Sequence, residues 1–215
     1  MNEMLIRFIT GAILVSVVIS ATLFHISTSV LCWSLITILG IKELWENSMA
    51  GVFAIMSLIL VGVFLIGIGY VHFKNGSFNL DLSNYNGINI VAFLCVIWTN
   101  DSSAYLGGRL LGKTIITKGL SPSISPNKSW EGAIIGWIFS SIVAYCLIGK
   151  LGLILGPCIA ILATYSDLIE SKAKRKANIK DSGNILPGHG GILDRFDALL
   201  LSAPFTFIVI FILSQ

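Results

Sequence analysis

The residues with the clearest chemical potential lie between Ser166 and Asp197, in the run SDLIESKAKRKANIKDSGNILPGHGGILDRFD. On a helix, Asp167, Ser171 and Lys174 stand at i, i+4 and i+7, within roughly 60° of one another, so a carboxylate, a hydroxyl and an ammonium line one wall. Lys172 and Lys176 fall on the far side, where lipid head groups are available to them. Lys180 and Asp181 follow, then Pro187, Gly188, His189, Gly190 and Gly191, whose glycines permit tight turns and close approach of backbone N–H groups to a phosphate. Asp194, Arg195 and Asp197 stand at the mouth of the last apolar segment. Carboxylates interleaved with Lys and Arg are the usual means of holding a divalent metal and a polyphosphate together. The stretch carries 6 of the 14 basic and 5 of the 11 acidic residues of a chain that is 55% hydrophobic. A loop whose lysines only stopped translocation and touched anionic lipid would leave the interleaved acids and the GHGG turn without a purpose.

A second group begins at Trp98, in WTNDSSAYLGGRLLGK. An ionisable residue inside an apolar span is costly enough to suggest function, and Asp101 is one, with Tyr105 and Gly108 on its helical face. The plainer reading is an Asp solvated at the water interface. Gly107, Gly108 and Gly112 allow a tight turn from which Arg109 and Lys113 project. The run Ser125-Pro126-Asn127-Lys128-Ser129-Trp130-Glu131-Gly132 then leads into another apolar segment. Ser129 is placed to cap that helix, whose positive end, with Lys128 beside it, faces an anion; capping alone is the plainer alternative.

These groups must be positioned by membrane-spanning helices. A mean hydropathy of +0.87 and 12% charged residues over 215 positions describe an all-α polytopic integral membrane protein, because a soluble domain could not bury this much apolar surface. Segments near 8–24, 29–45, 52–73, 88–106, 132–149, 151–168 and 194–213 match the roughly 20 residues that cross a bilayer as helix, which predicts about seven spans. The first is flanked by Arg7 like a signal peptide, but no convincing small-residue cleavage site follows it. With a cytoplasmic amino terminus, Arg7, Lys42, Arg109, Lys113, Lys118, Lys128, Lys172, Lys174, Arg175, Lys176, Lys180 and Arg195 lie inside, against Lys74 and Lys150 outside. This bias sets the polar loops near 107–130 and 169–193 on one cytosolic face, with the chemistry. The segment 74–87 is external and turn-rich, and no chemistry is assigned to it. Residues 1–87 form an amino-terminal membrane region of about three helices, and 88–215 the catalytic region.

Cys32, Cys95, Cys146 and Cys158 all lie in apolar spans without the spacing of a zinc site or a disulfide framework, and read as packing residues. His25 and His72 each stand alone at the outer end of a span, in interfacial positions. Gly67 and Gly69 open no nucleotide-binding βαβ unit and read as a close helix contact.

Three motifs in order resemble the phosphatidate cytidylyltransferases (CDP-diglyceride synthases). Asp101, Ala104, Tyr105, Gly108 and Arg109 fit D-x-x-A-Y-x-x-G-R; Ser125, Pro126, Lys128, Ser129, Glu131 and Gly132 fit S-P-x-K-[ST]-x-E-G. Ser171-x-x-Lys174-Arg175, Lys180-Asp181, Pro187-Gly-His-Gly-Gly and Asp194-Arg195-x-Asp197 fit the main signature. The resemblance covers residues 90–213 well and the first 85 loosely, through their spans and Glu43. Ser166 stands where the family commonly has Gly, and the Asp-Ser-Ser of residues 101–103 replaces a more usual Asp-[small]-Gly. The chain resembles a short bacterial form.

What the resemblance implies is a nucleotidyltransferase of phospholipid biosynthesis. A phosphatidate oxygen attacks the α-phosphorus of CTP, releasing pyrophosphate and leaving CDP-diacylglycerol in the membrane. It implies Mg²⁺ as cofactor, with a monovalent cation such as K⁺ as a candidate companion, held by Asp167, Asp194 and Asp197, with Asp181 and Asp101 as further candidates. Ser171, Lys174, Arg175, Lys180, Asp181, His189 and Arg195 form the implied catalytic set. Lys174, Arg175, Lys180 and Arg195 would hold phosphates, while His189 orients the loop or the nucleotide. A phosphate monoester dianion is already nucleophilic near neutral pH, so a general base is not obligatory. Asp101, Tyr105, Arg109, Ser125, Lys128, Ser129, Glu131, Gly190 and Gly191 would bind substrate. The implied partners are CTP, phosphatidate, the lipid bilayer and a second copy of the chain as a homodimer, with no nucleic acid; the implied setting is a bacterial inner membrane, crossed many times. Two other functions use similar residues: a CTP-dependent lipid or polyprenol kinase, and a non-enzymatic cation transporter relying on Asp101, Asp167 and Asp194.

Overall fold

The computed structural model describes residues 3–47, 49, 52–74 and 77–215. The amino-terminal Met1, and Asn75 and Gly76 of the segment read as external, lie outside these residues. The chain forms α1 (Glu3–Phe24), α2 (Ile26–Glu46), α3 (Val52–Ile68), β1 (Val71–Lys74), β2 (Ser77–Leu80), α4 (Gly87–Leu111), α5 (Trp130–Ile148), α6 (Gly152–Lys176), α7 (Leu193–Phe196) and α8 (Leu199–Leu213). A turn of 3₁₀ helix, Gly149–Leu151, joins α5 to α6.

Among the described residues, five helical stretches are long and apolar enough to cross a membrane: Leu5–Phe24, Ile26–Glu46, Gly87–Leu111, Trp130–Lys176 and Leu193–Leu213. The fourth contains both α5 and α6, which fold back on one another at the 3₁₀ turn, where Gly152 lies against the backbone of Ala144. The outer surface is rich in exposed apolar side chains, among them Phe8, Phe24, Ile38, Ile138 and Ile154, as expected where lipid is the solvent. A core of Trp33, Leu65, Ile90, Leu94, Ile159 and Phe196 runs between the helices.

Local chemistry sets the helix starts. His25 caps α2, its Nδ1 accepting from Ser27 N–H at 3.1 Å while Thr28 Oγ1 accepts from His25 N–H at 3.1 Å. Asn86 caps α4, and Ser129 caps α5 through its Oγ, which accepts from Gly132 N–H at 3.1 Å. Helices α4 and α5 approach so closely that a Cβ on Gly132 would sit 2.6 Å from the Ala104 carbonyl oxygen and 3.0 Å from Gly108 Cα. This contact seats the second motif directly on the first.

Several expectations are corrected. The all-helical architecture holds, with one short addition: β1 and β2 pair antiparallel, Val71 opposite Leu80 and Phe73 opposite Phe78, within a region expected to be span end and turn. Alternating apolar and polar residues suit a two-stranded ribbon as well as a loop. The third helix ends at Ile68 rather than near 73, and His72 belongs to the ribbon, with Nε2 2.7 Å from the Asn84 carbonyl oxygen. The polar loops are shorter than expected, because α4 continues to Leu111 and α6 to Lys176. The cysteines are all free, with Cys146 exposed. Gly67 packs against Phe207, consistent with its reading as a contact glycine.

Candidate active site

The site is built where the ends of α2, α4 and α6 meet the starts of α5 and α7. The loop between α4 and α5 turns back on itself, with Leu120 N–H donating to the Lys128 carbonyl at 2.8 Å and Ser125 N–H to that of Ser121 at 2.8 Å. Its entry is held by Glu131, whose carboxylate accepts the N–H groups of Lys113 at 3.1 Å, Ile115 at 3.0 Å and Ile116 at 2.8 Å. Lys113 Nζ donates to the Pro126 carbonyl at 3.1 Å, tightening the same loop. Lys128 is thereby aimed at α6, where its Nζ ion-pairs with Asp167 Oδ2. Ser171 Oγ donates to the other Asp167 oxygen at 3.1 Å. The wall of Asp167, Ser171 and Lys174 expected from helical spacing is therefore present.

One turn deeper, Lys174 Nζ lies 2.6 Å from Glu170 Oε2 and 2.6 Å from Asp194 Oδ1. All three side chains are at most 10% exposed. Asp194 Oδ2 also accepts from Ser182 N–H at 2.9 Å and Gly191 N–H at 2.8 Å. The turn that brings them there is closed by Leu186 N–H donating to the Gly190 carbonyl at 2.9 Å, with Gly188 at φ +75° and Gly190 at φ +81°. Asp197 accepts from Ala198 N–H at 2.8 Å, and its backbone carbonyl accepts from Ser166 Oγ.

Other expected site residues lie at the rim. Asp101 is exposed beside Asn100, whose Nδ2 donates to it at 3.2 Å, and Tyr105 and Arg109 are exposed on the same helix. Lys180 and Asp181 are exposed. Arg175 Nη1 donates to the Ile179 carbonyl at 2.9 Å, and Arg195 Nε to the His189 carbonyl at 3.1 Å. Burial, with Arg195 and Arg7 nearby, holds the His189 imidazole below its ordinary pKa and so favours its neutral form.

Among the described residues, no three His, Cys, Asp or Glu side chains converge as a metal cluster. The carboxylates are instead occupied by ammonium groups, Lys128 on Asp167 and Lys174 on Glu170 and Asp194. Asp167, Asp194 and Asp197 are half-buried and Glu170 is buried, and carboxylate oxygens are the donor type that hard divalent cations take. Glu170, 4% exposed, was missed in the sequence. Its signal was available, since it stands at i+3 from Asp167 and i−4 from Lys174, on the wall already drawn. Glu43 was noted only as the end of a span. It proves to be 1% exposed and bonded to the loop before α7.

A profile of the cytidylyltransferase family matches residues 3–213. The chain belongs to the cytidylyltransferase family. Similar members are named phosphatidate cytidylyltransferase. That of Rickettsia typhi is 36% identical over 216 residues, covering 94% of this chain and 90% of the relative. That of Rickettsia felis is 34% identical over 220 residues, covering 95% and 91%. That of Rickettsia prowazekii is 34% identical over 223 residues, covering 95% and 90%. The family match thus includes the first 85 residues, where the sequence resemblance was loose. Cytidylyltransferase membership agrees with a site that sets lysines beside carboxylates at the ends of apolar helices.

Proposed function

We propose that this protein transfers the cytidylyl group of CTP to phosphatidate, giving CDP-diacylglycerol and pyrophosphate. The observation that carries the reading is the ion pair of Lys128 with Asp167, which joins the SPNKSWEG motif to the main signature across 39 positions of chain. Together with Lys174 on Asp194, it ties the loop before α5, helix α6 and helix α7 to one another. The names of the relatives point to the same reaction.

The chain's residues have separable tasks. Asp167, Glu170, Asp194 and Asp197 would hold Mg²⁺, which when bound neutralises phosphate charge and favours loss of pyrophosphate. Lys128 and Lys174, which pair with those carboxylates, would exchange them for phosphate oxygens when CTP binds. Arg175, Lys180 and Arg195 at the rim supply further positive charge toward the triphosphate. Glu131 acts from behind, fixing the loop that carries Lys128, and Ser129 does the same by capping α5. Gly190 and Gly191 serve the turn and the Asp194 carboxylate. In-line positioning and charge neutralisation suffice, since the phosphatidate oxygen that forms the new P–O bond is already anionic as the pyrophosphate bond breaks. An apolar groove beside Asp101, lined by Cys95, Trp98, Ser102, Leu106 and Phe139, is suited to the lipid's acyl chains.

The membrane reading extends this. Seven spans threaded alternately put the start of α1, the end of α2, the end of α4, the start of α5, the end of α6 and the start of α7 on one side. Those are the ends that meet at the site: Gly11 of α1 lies against His189, and Glu43 of α2 bonds to Leu193. We read that side as cytoplasmic, in a bacterial inner membrane, and the functional unit as a homodimer. The test is turnover of α-labelled and γ-labelled CTP by purified protein with phosphatidate and Mg²⁺, with and without EDTA. Label from the α position should enter lipid and be lost with EDTA. Transfer of γ-label instead would establish a kinase, and no release of pyrophosphate would end the reading.

A further inference from the structure

The carboxylate of Glu43 is fully buried near the end of α2, and it has hydrogen-bond donors rather than a cation around it. Its oxygens accept from Ser182 Oγ at 3.0 Å, Ile192 N–H at 2.8 Å and Leu193 N–H at 2.9 Å. One turn on, Asn47 Nδ2 donates to the Ser182 carbonyl at 2.6 Å. Ser182 N–H in turn donates to Asp194. Every polar group of Ser182 is therefore engaged, by Glu43, by Asn47 just past the end of α2, and by Asp194. The packing leaves no slack: a Cβ on Gly191 would sit 2.2 Å from Ser182 Oγ and 2.5 Å from Glu43 Oε2, and one on Gly183 would sit 2.6 Å from Glu43 Oε1.

A buried carboxylate is costly to desolvate unless donors surround it, so this arrangement is restrictive: the loop is held only where its N–H groups face Glu43. The loop held there is the one whose Ser182 and Gly191 amides orient Asp194 toward Lys174. We propose that Glu43, assisted by Asn47, is a positioning residue that clamps residues 182–193 to α2 and thereby sets the Asp194 carboxylate for the reaction. The proposal rests on the cytidylyltransfer reading of the site, to which it adds a residue from the amino-terminal helices.

Glu43→Gln tests it, because the amide keeps the shape and one acceptor oxygen but turns an NH₂ group toward the N–H donors. Hydrogen exchange of the intact, purified protein is read over 181–194 beside turnover. Exchange in that segment should quicken about tenfold while α5 and α6 stay protected. The kcat should fall about 10- to 100-fold, the range for groups that orient ligating carboxylates, with the KM for CTP little changed. Ser182→Ala, which removes one contact to Glu43, and Asn47→Ala, which removes the Nδ2 bonds to the Ser182 and Glu43 carbonyls, should move both readouts the same way by less, and they decide the question if Glu43→Gln does not fold. Unchanged exchange over 181–194, or equal quickening throughout the bundle, overturns the clamp. Local quickening with unchanged kcat overturns its role in the reaction. A wild-type protein without CTP turnover overturns the proposed function instead, and exchange then still decides the clamp.

Discussion

Lys174 Nζ lies 2.6 Å from Asp194 Oδ1, tying the end of α6 to the short helix α7 across 20 positions of chain. The same ammonium is 2.6 Å from Glu170, so one cation serves two buried carboxylates. Removing it leaves both charges unpaired. Lys174→Met should destabilise the fold by about 3–5 kcal/mol, the cost of breaking a buried pair from one side. Adding Glu170→Gln should recover part of that loss, since one stranded charge is removed with it. Thermal unfolding in detergent reads both, and equal melting of the single and double variants would show that Glu170 and Lys174 are not coupled.

Asp194 and Asp167 each face a lysine, so their isosteric amides separate charge from shape. Asp194→Asn and Asp167→Asn should insert and fold, yet lose turnover by a factor on the order of 10² or more, as expected when charge stabilisation at a transferring phosphate is removed. The double variant should lose little beyond either single one, because both carboxylates serve one site. Pyrophosphate release at saturating Mg²⁺ measures this. An Asp194→Asn protein retaining more than about a third of wild-type turnover would shift the metal role to Asp181 or Asp197.

Glu131 holds the loop backbone through the N–H groups of Lys113, Ile115 and Ile116. Glu131→Gln should free this loop without dissolving the bundle, since α4 and α5 stay packed through Gly108 and Gly132. Limited proteolysis within 113–128 should quicken, and turnover should fall through displacement of Lys128. Cleavage at the wild-type rate would mean the loop is held by other contacts.

Orientation is checked by cysteines at positions 176 and 215. In intact cells, Lys176→Cys should resist an impermeant maleimide and Gln215→Cys should react. The reverse pattern would place the site outside the cell.

Much of the architecture was legible in residue order, and the reason is hydropathy. Lipid cannot satisfy a backbone polar group, so apolar runs of span length become helices whatever surrounds them, and α1, α2, α4, α5, α6 and α8 fall on the expected segments. The wall of Asp167, Ser171 and Lys174 was equally legible, because a helix converts spacing directly into a shared face. The ribbon at Val71–Leu80 was not, since a short alternating segment carries too weak a periodic signal to outweigh the turn residues around it.

What order could not decide was which charges meet. Sequence alone determined that lysines and carboxylates would crowd the ends of apolar helices, because charge is excluded from the spans themselves. Only the tertiary structure decided that Lys128 takes Asp167, that Lys174 is shared by Glu170 and Asp194, and that Glu131 and Glu43 are spent on loop backbone. The physical reason is that a buried carboxylate accepts whichever donors the fold brings to it. An ammonium across the bundle and an N–H group in a loop meet that need equally well, and their distance in sequence has no bearing on the choice.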